Sequence, residues 1–327
     1  MKRLQLSMTL GLVLMLTALW FTSSRQEVEA TPGNVKQIGP GVWFREGEIV
    51  EKGHCNNIWI EMKDYLIVVD ANYPSGAEAC LADIKKTTQK PVKYVFDTHH
   101  HGDHAYGNPV WTKLGATTLA YVGVAEEMKR YEPKRWQEAS KERKDVADLN
   151  LETPEPPKQT FSEKKFVLKD ETRRVEFHFF GWAHTRGDGF VYLPKEKIIC
   201  TGDAITNGPF NYLADGNSAN WPNVIDQAKK LNISTVLPGH GIPGGPEVLT
   251  GQKQFFLELR KAVGKEVQSG KSLESLVTKS GAQAKSTTVQ LPATVKNWIG
   301  DFLPSQVEAV YEEMKAGKPH GEILGGK

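Results

Sequence analysis

Residues 98–104 read Thr-His-His-His-Gly-Asp-His, which places His99, His101, Asp103 and His104 within six positions. Imidazole and carboxylate are the groups that hold zinc and other divalent ions. Four of them this close together are not a core-packing pattern. The residues before them, 92–96, predict a strand. If the chain stays extended through the motif, side chains two apart share a face. His99, His101 and Asp103 would then point one way and His100 the other, with Gly102 permitting the turn that brings His104 round. Three more candidates each follow a predicted strand: His184 after 175–180, Asp203 after 198–201 and His240 after 235–237. Strand ends would deliver all of them to one edge of a layered fold. The glycines beside them let the backbone approach closely.

The elements that must position these residues come in two similar passes of strands and helices. Strands are predicted at 42–44, 57–61 and 65–70, with Lys63 and Asp64 in a tight hairpin. A helix follows over 75–88, with Ser75 as its N-cap and Glu78 three residues on. Helices at 110–114 and 124–131 flank a short strand at 117–120. The charged segment 132–165 holds Pro133, Pro154, Pro156 and Pro157 and reads as a partly helical excursion and surface loop. Strands return at 175–180, 189–193 and 197–201. A helix at 222–231 has Pro222 in its first turn, and a last strand covers 234–237. After Pro246 the pattern is helical, interrupted near 281–292. Two layered halves with helices outside are the natural packing.

The chain has 327 residues, 24% of them charged and 39% hydrophobic, with a formal net charge of +2. That balance belongs to a globular protein and gives no basis for a nucleic-acid partner. A small-molecule substrate is expected instead. Residues 1–30 read as a secretory signal peptide: Lys2 and Arg3, an apolar run over 10–21, then a small-residue site ending at Ala30. An uncleaved single-span anchor is the alternative, and the only form of stable membrane insertion expected. Either way the folded part would work secreted or in the periplasm. Three cysteines are too few for a disulfide scaffold. Cys55 and Cys80 could pair, whereas Cys200 sits in an apolar run as a buried thiol.

On the 98–104 motif, His184, Asp203 and His240, in that order and spacing, the chain resembles the metallo-β-lactamase superfamily across about residues 39–245. Asp70, after an apolar strand, matches a structural aspartate of that family. The resemblance implies a four-layered αββα sandwich, in the α/β (α+β) class, as a catalytic domain over 34–250, with a helical extension over 251–327. It implies two Zn2+ ions, with iron or manganese as substitutes. His99, His101 and His184 would bind the first ion, Asp103, His104 and His240 the second, and Asp203 would bridge them. It also implies a metal-bridging hydroxide that cleaves an amide or lactam, ester or thioester, with Asp103 as the catalytic group that orients it.

The stretch 181–194 is similar to true class B β-lactamases, while Asp203 together with His104 is similar to glyoxalase II and the general hydrolases. An iron-dependent oxidoreductase of the persulfide dioxygenase type and a non-enzymatic periplasmic metal-binding accessory are the alternatives. Trp182, Phe210, Tyr212 and Trp221 are pocket candidates, and 207–221 is the candidate substrate loop. Arg186 is expected in a turn. His54, His178 and His320 match no motif and are expected on the surface or in strands, with His54 close enough to approach the pocket. Oligomeric state is not legible.

Overall fold

The computed structural model describes residues 31–324, so the expected signal segment lies outside the described residues. A seven-stranded sheet runs in simple sequence order. Its strands are β1 (Val35–Gly39), β2 (Val42–Arg45), β3 (Asn57–Glu61), β4 (Leu66–Val69), β5 (Val92–Asp97), β6 (Thr117–Tyr121) and β7 (Gln159–Phe161). β1 to β4 are antiparallel; β4 to β7 are parallel. The crossovers that parallel pairing requires are α1 (Pro74–Thr87), the short α2 (Gly102–Ala105) with α3 (Asn108–Lys113), and α4 (Val122–Glu142) with α5 (Lys144–Ala147). The second sheet has β8 (Lys165–Lys169), β9 (Arg174–Phe179), β10 (Gly189–Leu193), β11 (Ile198–Cys200) and β12 (Thr235–Leu237), with α6 (Trp221–Ala228) before its last strand. Only β11 and β12 are parallel there.

The sheets face each other through Phe44, Ile58, Ile60, Val69 and Phe96 on one side and Phe177, Val191, Leu193 and Cys200 on the other. α1 and α3 cover the outer face of the first sheet through Ala77, Cys80, Ile84 and Trp111. α6 and α7 (Glu247–Gln268) cover the second through Trp221, Val224, Phe255, Phe256 and Leu259. The result is the four-layered αββα sandwich that the resemblance implied. After α7 come α8 (Leu273–Leu276), a hairpin of β13 (Val277–Ser280) and β14 (Gln283–Thr287), then α9 (Leu303–Ala316) and α10 (His320–Leu324). No helix among the described residues is long and apolar enough to cross a membrane.

Four local expectations need correction. Helix α4 runs unbroken through Pro133 to Glu142, where the expected helix ends at 131 and gives way to a partly helical excursion. An interior proline costs about 3 kcal/mol, but Trp136 is fully buried against Tyr106 and Val146, and Glu132 accepts a hydrogen bond from Tyr106. These contacts hold the segment helical across the break. The end of the same excursion forms β7 rather than loop, and β8 follows it where no strand was expected. Ser75 is not the cap of α1: Tyr73 is, with Pro74 in the first turn, and the Ser75 hydroxyl is bonded to Asp145 at 2.5 Å. The C-terminal region carries a β-hairpin that packs on α9, where helix was expected.

Candidate metal centre

The strand ends aim the candidate residues at one point. Cys200 and Leu237 are paired in the parallel β11–β12 ladder, and Asp203 and His240 each lie three residues beyond. β5 delivers His99, and β9 leads to His184. The strand ends at Asp97 and residues 98–101 bend, with His101 capping α2 in β-region dihedrals. Asp103 therefore reaches the site from a helical turn, not from a continuing strand. His100 does face away, with its Nε2 3.4 Å from Asp215 Oδ2. Gly239 is where a side chain would do damage: a Cβ there would collide with Asp203 Oδ1 and lie 2.9 Å from His104 Cε1.

Three nitrogens converge on one side. His101 Nδ1 lies 3.1 Å from His99 Nε2 and 2.9 Å from His184 Nε2. The opposite nitrogen of each ring already has a partner. His101 Nε2 donates to Asp215 at 2.8 Å, His184 Nδ1 donates to the Tyr212 carbonyl at 2.9 Å, and His99 Nδ1 lies 3.1 Å from the Thr98 hydroxyl. A neutral imidazole carries one N–H, so the inward nitrogens of His101 and His184, whose far nitrogens face acceptors only, present bare lone pairs to one another beside His99 Nε2. Burial keeps the rings neutral: it lowers His99 and His101, with neighbouring histidines adding to the effect, and carries His184 to about 3. Facing lone pairs repel unless a cation sits among them, and second partners on the far nitrogens are the usual support of metal-bound histidine.

The other side is anionic. Asp103 Oδ2 lies 3.0 Å from His240 Nε2 and 3.3 Å from His104 Nε2. Asp203 stands between the two groups. Its Oδ2 is 3.4 Å from His240 Nε2 and 3.9 Å from His184 Nε2, and its Oδ1 is buried without a hydrogen bond, 3.4 Å from His104 Nε2. Burial alone would lower His240, but the carboxylates of Asp203 and Asp103 outweigh it and carry the ring to about 9. This half of the site calls for positive charge. His104 Nδ1 in turn lies 2.9 Å from Asp70 Oδ2, and Asp70 Oδ1 accepts the Thr98 backbone N–H at 2.8 Å, so Asp70 fixes the motif from below. A neutral nitrogen triad beside a carboxylate-rich group, sharing Asp203, is a donor set that fits two divalent cations.

All seven sequence candidates for the metal site therefore meet. A cavity of about 430 Å³ opens above them, lined by His101, Asp103, Asp203 and His240 at its floor. Of the pocket candidates, Phe210 and Tyr212 line it. Trp221 is instead fully buried, stacked on Phe256, and Trp182 donates to the Asp215 carbonyl. Arg186 sits in a turn, as expected, with its guanidinium over the Trp182 ring and 3.2 Å from Glu322. His178 lies on β9, bonded to Glu176. His320 is buried on α10, not on the surface, because its Nδ1 is bonded to the Ala214 carbonyl at 2.7 Å. His54 is buried beneath the cavity rim, bonded to Ser75. Cys55 and Cys80 stand as free, buried thiols, unpaired with one another.

Sequence reasoning missed Asp215, which joins His101 to Arg135 through contacts of 2.6 and 2.8 Å from the guanidinium. It also missed Asn56, whose Nδ2 donates to the Pro238 and Gly241 carbonyls and so holds the His240 turn. Neither has a local signal, since each acts on a partner far away in sequence.

The fold and this arrangement define a metal-dependent hydrolase of a known class. Residues 50–240 match the family model of the metallo-beta-lactamase superfamily, and the chain belongs to that superfamily. It is similar to the metallo-beta-lactamase IND-1 of Chryseobacterium indologenes, 24% identical over 57% of this chain and 71% of the relative. It is also similar to a ribonuclease Z of Latilactobacillus sakei, 29% identical over 49% of this chain and 55% of the relative. A hydroxyacylglutathione hydrolase of Dictyostelium discoideum is 24% identical over 54% of this chain and 57% of the relative. Among solved structures, a metallo-beta-lactamase from Pontibacter korlensis superposes with a TM-score of 0.56 at 21% identity, covering 68% of this chain and 98% of that one. At that identity the superposition speaks for the fold alone.

Proposed function

We propose that the protein is an exported hydrolase that holds two zinc ions and cleaves an amide or lactam, ester or thioester of a small molecule. The observation that carries this reading is the convergence of three histidine nitrogens beside an aspartate-rich group, with Asp203 within reach of both. His99, His101 and His184 would hold one ion; Asp103, His104 and His240 the other; Asp203 both. What such a pair supplies when bound is water of lowered pKa and a polarised scissile oxygen. The chain's own part is positioning. Asp215 and the Tyr212 carbonyl fix the rings of His101 and His184. Asp103, 23% exposed at the cavity floor, orients the attacking water by accepting its hydrogen bond. Burial would raise its carboxyl, but His104 and His240 outweigh that and keep it well below the ordinary value.

Relatives named as a metallo-beta-lactamase and a hydroxyacylglutathione hydrolase support the bond class, and the lysine- and arginine-poor cavity floor supports a small molecule over RNA. Export rests on the basic, apolar and small-residue succession of residues 1–30. The test is metal analysis of protein grown with zinc and iron both supplied, followed by assay of a chromogenic cephalosporin, a thioester and a phenyl ester with and without chelator. Two zinc ions per chain and chelator-sensitive turnover of at least one compound are expected. Iron in the site, or fully metallated protein inert on all three, would sink the proposal. Cell fractionation tests export.

A further inference from the structure

Seven large apolar side chains are exposed among the described residues, and three of them, Ile49, Tyr212 and Phe302, line the one cavity above Asp103 and Asp203. Scattered exposed apolar residues need no explanation, but a cluster at the mouth of a polar-floored cavity does. They come from three separate segments: the β2–β3 loop, the loop after β11, and the turn that opens α9. Their exposures are 37, 38 and 39%, so each keeps a face free for contact.

The charged residues of the same wall are not available to a substrate anion. Arg135 is held by Asp215 and Glu132. Arg143 pairs with Asp145 at 2.9 Å and lies flat over the Tyr73 ring at 3.6 Å. What the wall offers is aromatic and aliphatic surface.

Phe302 is fixed in place. Its ring meets Tyr212 edge-on at 5.7 Å. The segment that carries it is stitched to the loop after β11: Gln306 Nε2 donates to the Asn211 carbonyl at 2.5 Å, Gly321 N–H to Gly216 at 3.2 Å, and Glu313 accepts from Ser218 N–H at 2.9 Å. Phe302 lies beyond residues 50–240, the part matched by the superfamily, whereas Tyr212 and Phe210 lie within it.

We propose that Phe302, with Tyr212, Phe210 and Ile49, forms a subsite for a neutral aryl arm of the substrate, placed beside the bond that is cut. The substrate class is then an aryl-substituted carboxylic acid derivative, and the C-terminal extension selects it. This rests on the hydrolase reading for the reaction, but not for the binding.

Two measurements test it. The first compares phenylacetyl and acetyl thioesters of one thiol: Phe302→Ala lowers the kcat/KM preference for the phenylacetyl compound about tenfold, and Phe302→Trp restores it. The second is saturation-transfer NMR with phenylacetamide on zinc-loaded protein: ring-proton transfer is seen in the wild type and is largely lost in Phe302→Ala. An unchanged preference in the variant, or equal ring-proton transfer in the two proteins, overturns the proposal, as does wild-type protein that gives no transfer at all. Transfer that depends on Phe302 in a zinc-loaded protein inert on the cephalosporin, the thioesters and the phenyl ester alike would refute the hydrolase reading and leave the subsite standing.

Discussion

The floor of the cavity and its walls are built on opposite plans. The floor comes from strand ends and from backbone tied down at every step: Asp70 under His104, Asp215 behind His101, the Tyr212 carbonyl behind His184, Asn56 behind the His240 turn. The walls come from the β2–β3 loop, the loop after β11, one face of α4 and the turn before α9, and their exposed apolar side chains are held mostly by packing. A donor set must hold its geometry to fractions of an ångström, so it sits on sheet edges with hydrogen-bonded support. A surface that accepts a substrate arm has to fit a shape, and irregular segments provide shapes cheaply. Changes to the floor should therefore remove chemistry, and changes to the walls should alter selection or stability.

The largest expected effect is at Asp103. Asp103→Asn keeps the size and the site's shape but removes the base, so turnover falls about 10³-fold with circular dichroism unchanged. Near-normal kcat in that variant would break the contrast at its centre. Asp203→Ala comes next. It takes away the group within reach of both donor sets, so zinc content measured after dialysis falls from two ions per chain toward one, and retention of two would remove Asp203 from its role. Asp215→Asn is milder. His101 keeps its ligating nitrogen but loses the charged partner of the other, so zinc affinity, titrated against a chromophoric chelator, falls about 10–100-fold. An unaltered affinity would mean that Asp215 serves Arg135 alone.

How much could be read in the sequence follows the same division. His99, His101, Asp103 and His104 are legible because their spacing is local, and His184, Asp203 and His240 because each follows an apolar strand run. Two layered halves with helices outside were legible from the alternation of those runs with helical stretches, and the four-layered sandwich from the resemblance that the motif residues carry. The reach of α4 was not: Pro133 carries a strong local stop signal, and what overrides it is the burial of Trp136 among side chains far away in sequence. The β13–β14 hairpin was hidden for a related reason, since Thr278, Lys279, Gln283 and Lys285 are exposed and polar and give no apolar alternation. Phe302, Asp215 and Asn56 have no pattern at all; only the folded chain brings them to the site.

The smallest effect sharpens the comparison from the wall side. His54 anchors the β2–β3 loop, which contributes Ile49 and Gly53 to the cavity, by its Nε2 contact with Ser75 at 2.9 Å. Burial is the main cause that carries its pKa down to about 4, and the nearby charges of Arg143, Arg45 and Lys52 push the same way against Asp145. In the unfolded chain the ring titrates near its ordinary value of 6.5. Between those values the unfolded state binds more protons, so stability is full above about pH 6.5 and declines as pH falls toward 4. The full loss is about 3 kcal/mol at most. His54→Gln keeps a hydrogen-bonding side chain and removes the titration, so urea midpoints measured from pH 7 to pH 4 should fall less steeply than in the wild type, with turnover at pH 7 little altered. Parallel curves for the two proteins would show that the loop is held by something other than a neutral ring. A large loss of turnover at pH 7 would show that this part of the wall shares the geometric demands of the floor.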